Sequence, residues 1–459
     1  MRNCSTLPSS PYWGHPVTAK EILSRREERM RVQQELLPQN GCLISFSLNI
    51  PGQCKRSPLA DRAFQEGRER IRDSVALPGK LLHEVSFDLP TGLETLMVID
   101  SEPGPAKKRA LLLEETSPIG RYYDIDIISS SGEKLSRLSL GYHPRRCFLC
   151  GQNAFLCRRQ QMHTEAALLE KMNSDLRQHF MMQDADEIAG FAQRALLTEA
   201  AVSPKPGLVD RFSPGAHQDM DFYTFLESAS ALRPWFQMFA LAGLEAPDMP
   251  PEQAFPRLRT IGLQAEGAML RATGGINTHK GCIFSLGVLC AAMGQIPKSQ
   301  WTVSVLTANA GKMAANALSD FSNLSLSRSH GVQMHSLHGA DGIRGEAARG
   351  FPSVQNIGLP TLKSALRLGF SLNDAAAWTL LHLLAQVEDT NILFRGGSSA
   401  ASRVHDMAAA SIDHIQRELS LHQVLQDLDR SFTAQNLSPG GCADLLALTL
   451  FLHFALSPS

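Results

Sequence analysis

Residues 203–221 read SPKPGLVDRFSPGAHQDMD and mark the point where the chain changes its character. The stretch holds one lysine, one arginine, one histidine and three aspartates, which a phosphate or metal site needs and a hydrophobic core does not. Pro204 and Pro206 end the preceding helix, because proline lacks the amide hydrogen that a helix interior requires. That helix is predicted from apolar residues at helical spacing, namely Ile188, Phe191, Ala192, Ala195 and Leu196.

The two sides of this loop differ in texture. Beyond about residue 184, long Ala- and Leu-rich segments alternate with Gly/Pro/Ser loops, which predicts a mainly α-helical part. The predicted helices there include 283–292, 303–318, 375–387 and 443–456. The first part mixes predicted strands at 41–50, 93–100 and 122–129 with a predicted helix at 59–72.

The sequence therefore predicts a multidomain chain with two parts. Residues 1–182 form an α+β domain, and residues 183–459 form a mainly α-helical domain. A charged segment at 164–186 is predicted to be helical and to join them.

Composition excludes several classes of protein. The chain of 459 residues has a formal net charge of −1 and no long basic run, so a dedicated nucleic-acid-binding or membrane-surface role is not supported. Its nine cysteines are odd in number and dispersed, which favours a reducing compartment. Residues 1–40 lack the apolar segment of a signal peptide, and the apolar run at 445–456 is too short to span a bilayer. We expect a soluble, cytoplasmic protein.

In the first part, residues 120–127 read GRYYDIDI. Asp124 and Asp126 are two residues apart, so they point to the same face of the predicted strand. Two carboxylates on one face repel each other unless a cation lies between them, and Mg²⁺ prefers such oxygen ligands together with substrate phosphates. Arg121 is a candidate phosphate ligand beside them. The alternative is an ordinary solvent-facing strand edge.

A second cluster in the first part carries softer ligands. Cys147, Cys150, Cys157 and His163 follow the pattern C-x2-C-x6-C-x5-H, and four such ligands are the donor set of a closed tetrahedral Zn²⁺ site. The x6 spacing fits the common zinc patterns poorly. The alternative is that reduced cysteines and a histidine merely pack near a domain edge.

In the second part, four loops between predicted helices each combine acidic or amide residues with lysine or arginine. Taken singly, each fits ordinary capping and turn chemistry. Their recurrence favours a shared site for an anionic ligand. The second loop, GGINTHKG at 274–281, precedes a helix N-terminus suited to phosphate but lacks the Walker A spacing. The candidate site residues are Lys205, Asp210, Arg211, His217, Asp219 and Asp221; Asn277, Thr278, His279 and Lys280; Arg344 and Glu346; and Asp389, Asn391 and Arg395.

Three further histidines, His330, His335 and His338, have H-x4-H-x2-H spacing. We interpret them as part of a polar loop rather than of the site.

Together these strings resemble two families. The second part resembles the triphosphoribosyl-dephospho-CoA synthase family through VSPKPGLVDR from residue 202, NTHKG from 277, GIRGEA from 342, DTN from 389 and SPGGCADLLA from 438. The first part resembles the holo-citrate lyase synthase family, an apo-citrate lyase phosphoribosyl-dephospho-CoA transferase, through FSLNIPG from 46, GRYYDID from 120 and PRRCFLC from 144. The small departures, including the tyrosines at 122 and 123 and the cysteine at 442, leave the charged positions intact.

The resemblance implies a fused bifunctional transferase with a nucleotidyltransferase-like first domain. Its second part would join ATP to 3'-dephospho-CoA and release adenine. Its first part would attach the product to a serine of the apo-acyl-carrier subunit of citrate lyase and release pyrophosphate. ATP, 3'-dephospho-CoA and that subunit are thus the expected partners, with no nucleic acid and no membrane.

This reaction path gives the candidate residues expected roles. Displacement at an anomeric carbon needs a carboxylate, and Asp219, Asp221 or Asp389 is a candidate. The triphosphate needs cations, for which Lys205, Arg211, Lys280 and Arg395 are candidates with Mg²⁺ at Asp219 and Asp221. In the first part, Asp124 and Asp126 would hold Mg²⁺. Two alternatives stay open at the level of sequence: an all-α nucleoside glycohydrolase, and a non-catalytic assembly chaperone for the acyl-carrier subunit.

Overall fold

The computed structural model describes residues 10–317, 342–417 and 420–457, except the side chains of residues 416 and 417. The chain divides into two compact units, Met1–Met181 and Met182–Ser459. The histidines His330, His335 and His338 lie outside the described residues, as does the end of the predicted helix at 303–318.

The first unit contains a four-stranded antiparallel sheet. Its strands are β1 (Cys42–Leu48), β2 (Lys80–Leu89), β3 (Gly92–Asp100) and β4 (Tyr123–Ser129), in the order β2-β3-β1-β4. Its helices are α1 (Ala19–Glu35), α2 (Pro58–Ile71), α3 (Pro103–Thr116) and α4 (Ala154–Arg159).

Alternation along the strands gives the sheet two different faces. One face is apolar and packs with α2 and α3 into a core that includes Ile44, Phe46 and Ile125. The opposite face is apolar at one end, where Leu43 and Val98 pack against α1. The remaining positions of that second face are polar, so the sheet and α1 enclose a polar space there. These positions are Ser45, Ser47, Glu94, Asp124 and Asp126.

Within its described residues, the second unit consists of helices joined by loops and contains no strand. A long helix, α5 (Glu165–Ala201), begins in the first unit's range and ends in the second. The others are α6 (Phe222–Leu244), α7 (Phe255–Ala272), α8 (Lys280–Gln295), α9 (Val303–Ala314), α10 (Gly342–Ala348), α11 (Leu359–Arg367), α12 (Leu372–Gln386), α13 (Thr390–Arg417), α14 (Leu421–Ala434) and α15 (Gly440–Leu456). Their apolar faces share one core, in which α8 and α15 are buried on nearly all sides.

Most of the predicted elements are present. The strands predicted at 41–50, 93–100 and 122–129 correspond to β1, β3 and β4, and the four predicted helices of the second part correspond to α8, α9, α12 and α15. The sequence interpretation missed α1, α3, α4 and β2. Helix α1 has no buried residue, because it packs on the sheet only through partly buried side chains such as Val32 and otherwise borders the polar space. Within the described residues, no helix is long and apolar enough to cross a membrane.

Candidate active sites

The polar space in the first unit is a cavity of about 970 Å³ between α1 and the sheet. Asp124 and Asp126 both line it, as expected from their positions on the same face of β4. Asp126 is paired with Lys134 at 2.5 Å, and Asp124 lies 3.5 Å from Arg145. Both carboxylates remain partly exposed to the cavity, so a bound cation can reach them in place of these side chains.

The cavity also contains positive charge that the sequence interpretation overlooked. Arg25 and Arg29 on α1 both pair with the buried Glu94 at 2.7 Å. In contrast, Arg26 and Arg158 line the cavity, and the described residues provide no acidic partner for either. Lys55 lies in the field of both arginines, and burial lowers its pKa. We name Arg26, Lys55 and Arg158 the cavity cations.

A buried network supports β4 from behind. The ammonium of Lys107 donates to the backbone carbonyl of Ile125 at 2.8 Å, and burial lowers its pKa. Glu114 accepts from Arg145 at 2.5 Å and from Arg137 at 3.1 Å, while burial raises its pKa. This network holds the strand that carries both aspartates and also fixes Arg145 beside them.

Arg121 does not lie in this cavity. It precedes β4 in a short 3₁₀ turn, and its guanidinium lies 5.4 Å from the ring centre of Phe148. The predicted zinc ligands, in contrast, come together: the ligand atoms of Cys147, Cys150, Cys157 and His163 all lie within 4.8 Å of one another.

In the second unit, the charged loop at 203–221 meets three other segments. His217 Nε2 lies 2.8 Å from the hydroxyl of Ser438, at the start of α15. Arg395 in α13 donates to the carbonyl of Ala216 at 3.2 Å. Gly207 donates its amide to Asp429 in α14 at 2.9 Å. The loop therefore contacts the N-terminal parts of α13 and α15 and the side of α14.

Asp389 connects the same two helix N-termini. One carboxylate oxygen accepts the amides of Asn391 at 2.8 Å and Ile392 at 3.3 Å, which caps α13. The other accepts the amide of Cys442 at 2.7 Å, in the first turn of α15. Asp389 is 2% exposed, and burial raises its pKa. Both of its oxygens accept backbone amides, which gives Asp389 a structural role. The catalytic role expected for it from the sequence stays a prediction.

Asp444 brings the second loop into the same region. Its carboxylate accepts from the Cys282 thiol at 2.9 Å, at the N-terminus of α8. A Cβ at Gly281 would lie 1.8 Å from the same carboxylate, so the close approach requires glycine there. Burial raises the pKa of Asp444 to about 7. Asp389 and Glu199 contribute to that increase, because their negative charges disfavour a further ionised carboxyl.

The four candidate cations of the second unit divide into two groups. Lys205 is 1% exposed and forms an ion pair with the buried Glu199 at 2.6 Å, and Lys280 pairs with Glu266. Arg211 instead contacts the neutral groups of Ser203 and Asn373, and Arg395 contacts backbone and amide oxygens. In the described parts of the chain, neither arginine has an acidic partner. Arg211 and Arg395 are therefore the two candidates whose charge no described acidic side chain balances, which suits them to bind phosphate.

His279 precedes α8 and forms polar contacts with Ser228 that do not involve Asp389 or Asp444. Its Nδ1 is 2.7 Å from the hydroxyl of Ser228, which in turn accepts from Thr278 at 2.7 Å. Its Nε2 is buried and has no hydrogen-bond partner. Burial lowers the pKa of His279 to about 3, so the ring is neutral at physiological pH. Asn277 accepts the amide of Lys280 at 3.3 Å, which is the capping expected for this loop.

The remaining candidates have local structural contacts. Asp221 caps α6 through Thr224, and Asp219 is exposed, 3.9 Å from His217. Asp210 accepts three backbone amides within its own loop, from Lys205, Phe212 and Ser213. Glu346 in α10 binds Ser353 at 2.7 Å, and Arg344 lies in the same helix. Asp219 and Asp221 thus form no ready pair for Mg²⁺, and that role stays a prediction.

The sequence interpretation missed Asp444 and Glu199 as site residues. Both are acids within strongly apolar helical segments. An ionisable residue inside an apolar helix needs a partner, so the sequence pattern alone marks both as residues in a polar contact. The basic face of α1 was not predicted, because a helix without buried residues lacks the apolar period that marks a helix in sequence.

Two family models match the chain, one in each unit. Residues 185–458 match the model described as "CitG: ATP:dephospho-CoA triphosphoribosyl transferase". Residues 17–179 match the model described as "CitX: Apo-citrate lyase phosphoribosyl-dephospho-CoA transferase".

Relatives match the chain over its whole length. "Protein CitXG" of Haemophilus influenzae is 33% identical, with 95% of this chain and 96% of the relative covered. "Protein CitXG" of Leuconostoc mesenteroides subsp. cremoris is 32% identical over 96% of this chain and 97% of its own length. The 2-(5''-triphosphoribosyl)-3'-dephosphocoenzyme-A synthase of Pectobacterium atrosepticum is 38% identical over 63% of this chain and 94% of its own.

A crystal structure of a putative triphosphoribosyl-dephospho-CoA synthase from Archaeoglobus fulgidus covers 50% of this chain and 98% of its own at 19% identity. Its TM-score of 0.34 is too low to assign the fold. The two family models and the full-length relatives are sufficient without it: the chain belongs to the ATP:dephospho-CoA triphosphoribosyl transferase family, in the fused CitXG form that also carries an apo-citrate lyase phosphoribosyl-dephospho-CoA transferase and is therefore a bifunctional transferase.

Proposed function

We propose that the two units divide two successive transfers between them. In the helical unit, the 2'-oxygen of 3'-dephospho-CoA bonds to C1' of the ATP ribose, the bond from C1' to adenine breaks, and adenine leaves with the bonding electrons. In the sheet-containing unit, a serine oxygen of the apo-acyl-carrier subunit bonds to the α-phosphorus of the new triphosphate. The bond from that phosphorus to the β-phosphate breaks, and pyrophosphate leaves.

The observation that supports the second transfer is the composition of the cavity in the first unit. Asp124 and Asp126 face it from an edge strand, and the cavity cations lie around it. Within the described residues, Arg26 and Arg158 have no acidic partner. Two carboxylates on an antiparallel sheet beside a cationic wall support a nucleotidyltransferase-like arrangement. The cavity cations would bind the triphosphate, whose charge otherwise opposes attack by an oxygen nucleophile.

The donor set of this cavity fits Mg²⁺. Asp124 and Asp126 offer hard oxygen ligands at partly exposed positions, and each already lies beside a positive side chain, which supports a site for positive charge. Bound Mg²⁺ would neutralise charge on the leaving pyrophosphate. The chain's own contribution is to fix the two aspartates through the Lys107 and Glu114 network and to bind the phosphates.

In the helical unit, Asp444 is the carboxylate best suited to accept the proton of the 2'-hydroxyl. A general base acts best when its pKa lies near the working pH, and burial raises that of Asp444 to about 7. Asp389 has both oxygens bonded to amides, and Asp221 is an exposed helix cap. Arg211 and Arg395 would bind the triphosphate that stays on the ribose.

The experiment measures both leaving groups in the full-length chain. With ATP and Mg²⁺, adenine should appear only when 3'-dephospho-CoA is added, because its 2'-hydroxyl is the nucleophile. Pyrophosphate should appear only when the apo-acyl-carrier subunit is added as well. Adenine release without 3'-dephospho-CoA would instead identify a nucleoside glycohydrolase.

Asp124→Asn separates the two sites. We expect it to abolish pyrophosphate release and the mass increase of the acyl-carrier subunit, while adenine release continues unchanged. Asp73→Asn is the matched control, since Asp73 is exposed in the same unit and does not line the cavity. Equal attachment by wild type and Asp124→Asn would exclude the role of Asp124, and absence of attachment by wild type would favour a non-catalytic chaperone.

A further inference from the structure

The segment at 144–164 follows β4 and contains the four predicted zinc ligands. Cys147 and Cys150 lie in a tight turn, in which the amide of Cys147 donates to Gln152 at 2.6 Å and the amide of Gly151 donates back to Cys147 at 2.9 Å. Gly151 has φ of +72°, a conformation that favours glycine. The amides of Leu149 and Cys150 donate to the sulfur of Cys147. Such a turn holds two cysteine side chains toward one point.

The other two ligands approach that point from α4 and the residues after it. Asn153 caps α4 by accepting two amides, which fixes the helix that carries Cys157. The amide of Met162 then donates to the carbonyl of Cys157 at 3.1 Å, so the chain turns back and places His163 beside the cysteines. In the ranges that the structure describes, no other group of three or more His, Cys, Asp or Glu side chains comes together in this way.

The spacing of the sulfurs fits a metal ion better than a disulfide. Cys150 Sγ and Cys157 Sγ are 3.7 Å apart. Two thiolates at about 2.3 Å from one tetrahedral Zn²⁺ lie about 3.8 Å apart, whereas a disulfide brings the sulfurs to about 2.05 Å. The Nε2 of His163 is buried and has no hydrogen-bond partner, so it is a nitrogen ligand without a competing contact.

The segment lacks a hydrophobic core that would hold it together without a metal. Its large apolar side chains are mostly exposed: Phe155 by 69%, Met162 by 53% and Leu156 by 50%. Phe148 is the exception, and its ring packs 5.4 Å from that of Tyr122. Short segments with so little buried apolar surface are usually stabilised by disulfides or metals. Simple packing of reduced cysteines would not compensate for the missing core.

The same segment supplies one cation that lines the cavity of the first unit and another that lies beside a cavity carboxylate. Arg145 precedes the turn and lies 3.5 Å from Asp124, and its carbonyl accepts the amide of Ala154 at the start of α4. Arg158 follows Cys157 in α4 and lines the cavity. Loss of order in this segment would therefore remove positive charge from both the aspartates and the phosphate-binding wall.

We propose that Cys147, Cys150, Cys157 and His163 bind one structural Zn²⁺ that holds Arg145 and Arg158 at the cavity. Four protein ligands close the coordination shell, so the ion has no open position for substrate. Only the consequence for the cavity depends on the proposed second transfer; the metal site itself does not.

The first test is the metal content of the wild-type full-length chain. After purification with zinc present and removal of excess metal, we expect about one zinc per chain by elemental analysis. Replacement by Co²⁺ should give the intense thiolate-to-cobalt absorption of a tetrahedral sulfur site. A chain that retains no zinc and gives no such absorption would overturn the proposal, as would a Cys150–Cys157 disulfide in the freshly purified protein.

Variants then assign the ligands and the role. Cys150→Ser and Cys157→Ser should lose most of the zinc and the cobalt absorption, whereas Cys54→Ser, at a cysteine outside the cluster, should retain both. In the ligand variants we expect proteolytic cleavage within 144–164 and loss of pyrophosphate release, while adenine release by the other unit persists and reports a folded chain. Full zinc content in both serine variants would contradict the assignment.

Discussion

Asp444 accepts a hydrogen bond from the thiol of Cys282 at 2.9 Å, and this contact joins the second turn of α15 to the first turn of α8. The carboxylate lies where two helix N-termini meet, yet burial keeps its pKa at about 7 rather than below the usual range. Because burial favours the protonated acid, this carboxyl group ionises near neutral pH rather than near pH 4.

The pH dependence of adenine release follows from this pKa. Because Asp444 acts in its ionised form, the rate should rise between about pH 6 and about pH 8 and then level off. Asp444→Asn, which preserves shape, should slow adenine release by about 100-fold or more. Steady-state rates across the pH range check both expectations. A variant within about threefold of wild type would exclude Asp444 as the base.

Stability should change in the opposite direction with pH. The folded-state pKa of Asp444 is raised above that of the unfolded chain, so the folded state binds more protons between about pH 4 and pH 7. Its contribution to the free energy of unfolding therefore decreases as pH rises through that window. We expect Asp444→Asn to unfold at an equal or higher temperature than wild type at pH 8, measured by calorimetry. A lower temperature would mean that the ionised carboxylate stabilises the fold.

Gly281→Ala tests the close approach of α8 to Asp444. A Cβ there would lie 1.8 Å from the carboxylate, so Asp444 must move, and adenine release should decrease even though alanine favours helix. Gly262→Ala in α7 is the matched control, because its Cβ would have an ordinary contact of 3.7 Å with Phe239. We expect that control to keep full activity and to gain up to about 1 kcal/mol in stability. Similar behaviour of the two variants would contradict the geometry.

Arg26→Ala tests the cavity cations. Loss of one charge-assisted contact to phosphate, worth about 1.5–3 kcal/mol, should raise KM for the triphosphoribosyl substrate by about tenfold or more. Arg31→Ala provides the comparison on the same helix, since Arg31 is exposed, pairs with Glu28 and Glu35 and does not line the cavity. Pyrophosphate release kinetics measure both. Equal KM values for the two variants would place the triphosphate elsewhere.

Lys205 and Arg211 should respond differently to substitution. Lys205→Met leaves the buried Glu199 without its partner, which should cost about 3–5 kcal/mol of stability. Adding Glu199→Gln should restore part of that loss. Arg211→Ala should leave stability nearly unchanged and raise KM for ATP. Denaturant unfolding and ATP kinetics separate these outcomes; a stable Lys205→Met with a raised KM would restore Lys205 as a phosphate ligand.

The sequence predicted the elements with a strong apolar period, and it predicted one group of candidate site residues in each unit. The common face of Asp124 and Asp126 followed from the two-residue period of a strand. The sequence did not predict which of the charged candidate residues form ion pairs within the protein. Lys205 and Arg211 lie six residues apart in one loop, yet only Lys205 meets a buried acid, and that depends on where α5 ends. The role of Asp444 likewise depends on the packing of α8 against α15, which no local pattern specifies.

Asp389 sets the position of two helices at once, since one oxygen caps α13 while the other binds the first turn of α15. A substitution there would shift Arg395 and Asp444 together, although the carboxylate of Asp389 bonds to the backbone amides of Asn391, Ile392 and Cys442 rather than to either side chain. In a mutational scan, position 389 would therefore score like a reacting group, with activity lost entirely. A separate measurement, such as the pKa of Asp444 in the variant, would show that Asp389 acts by positioning the N-termini of α13 and α15.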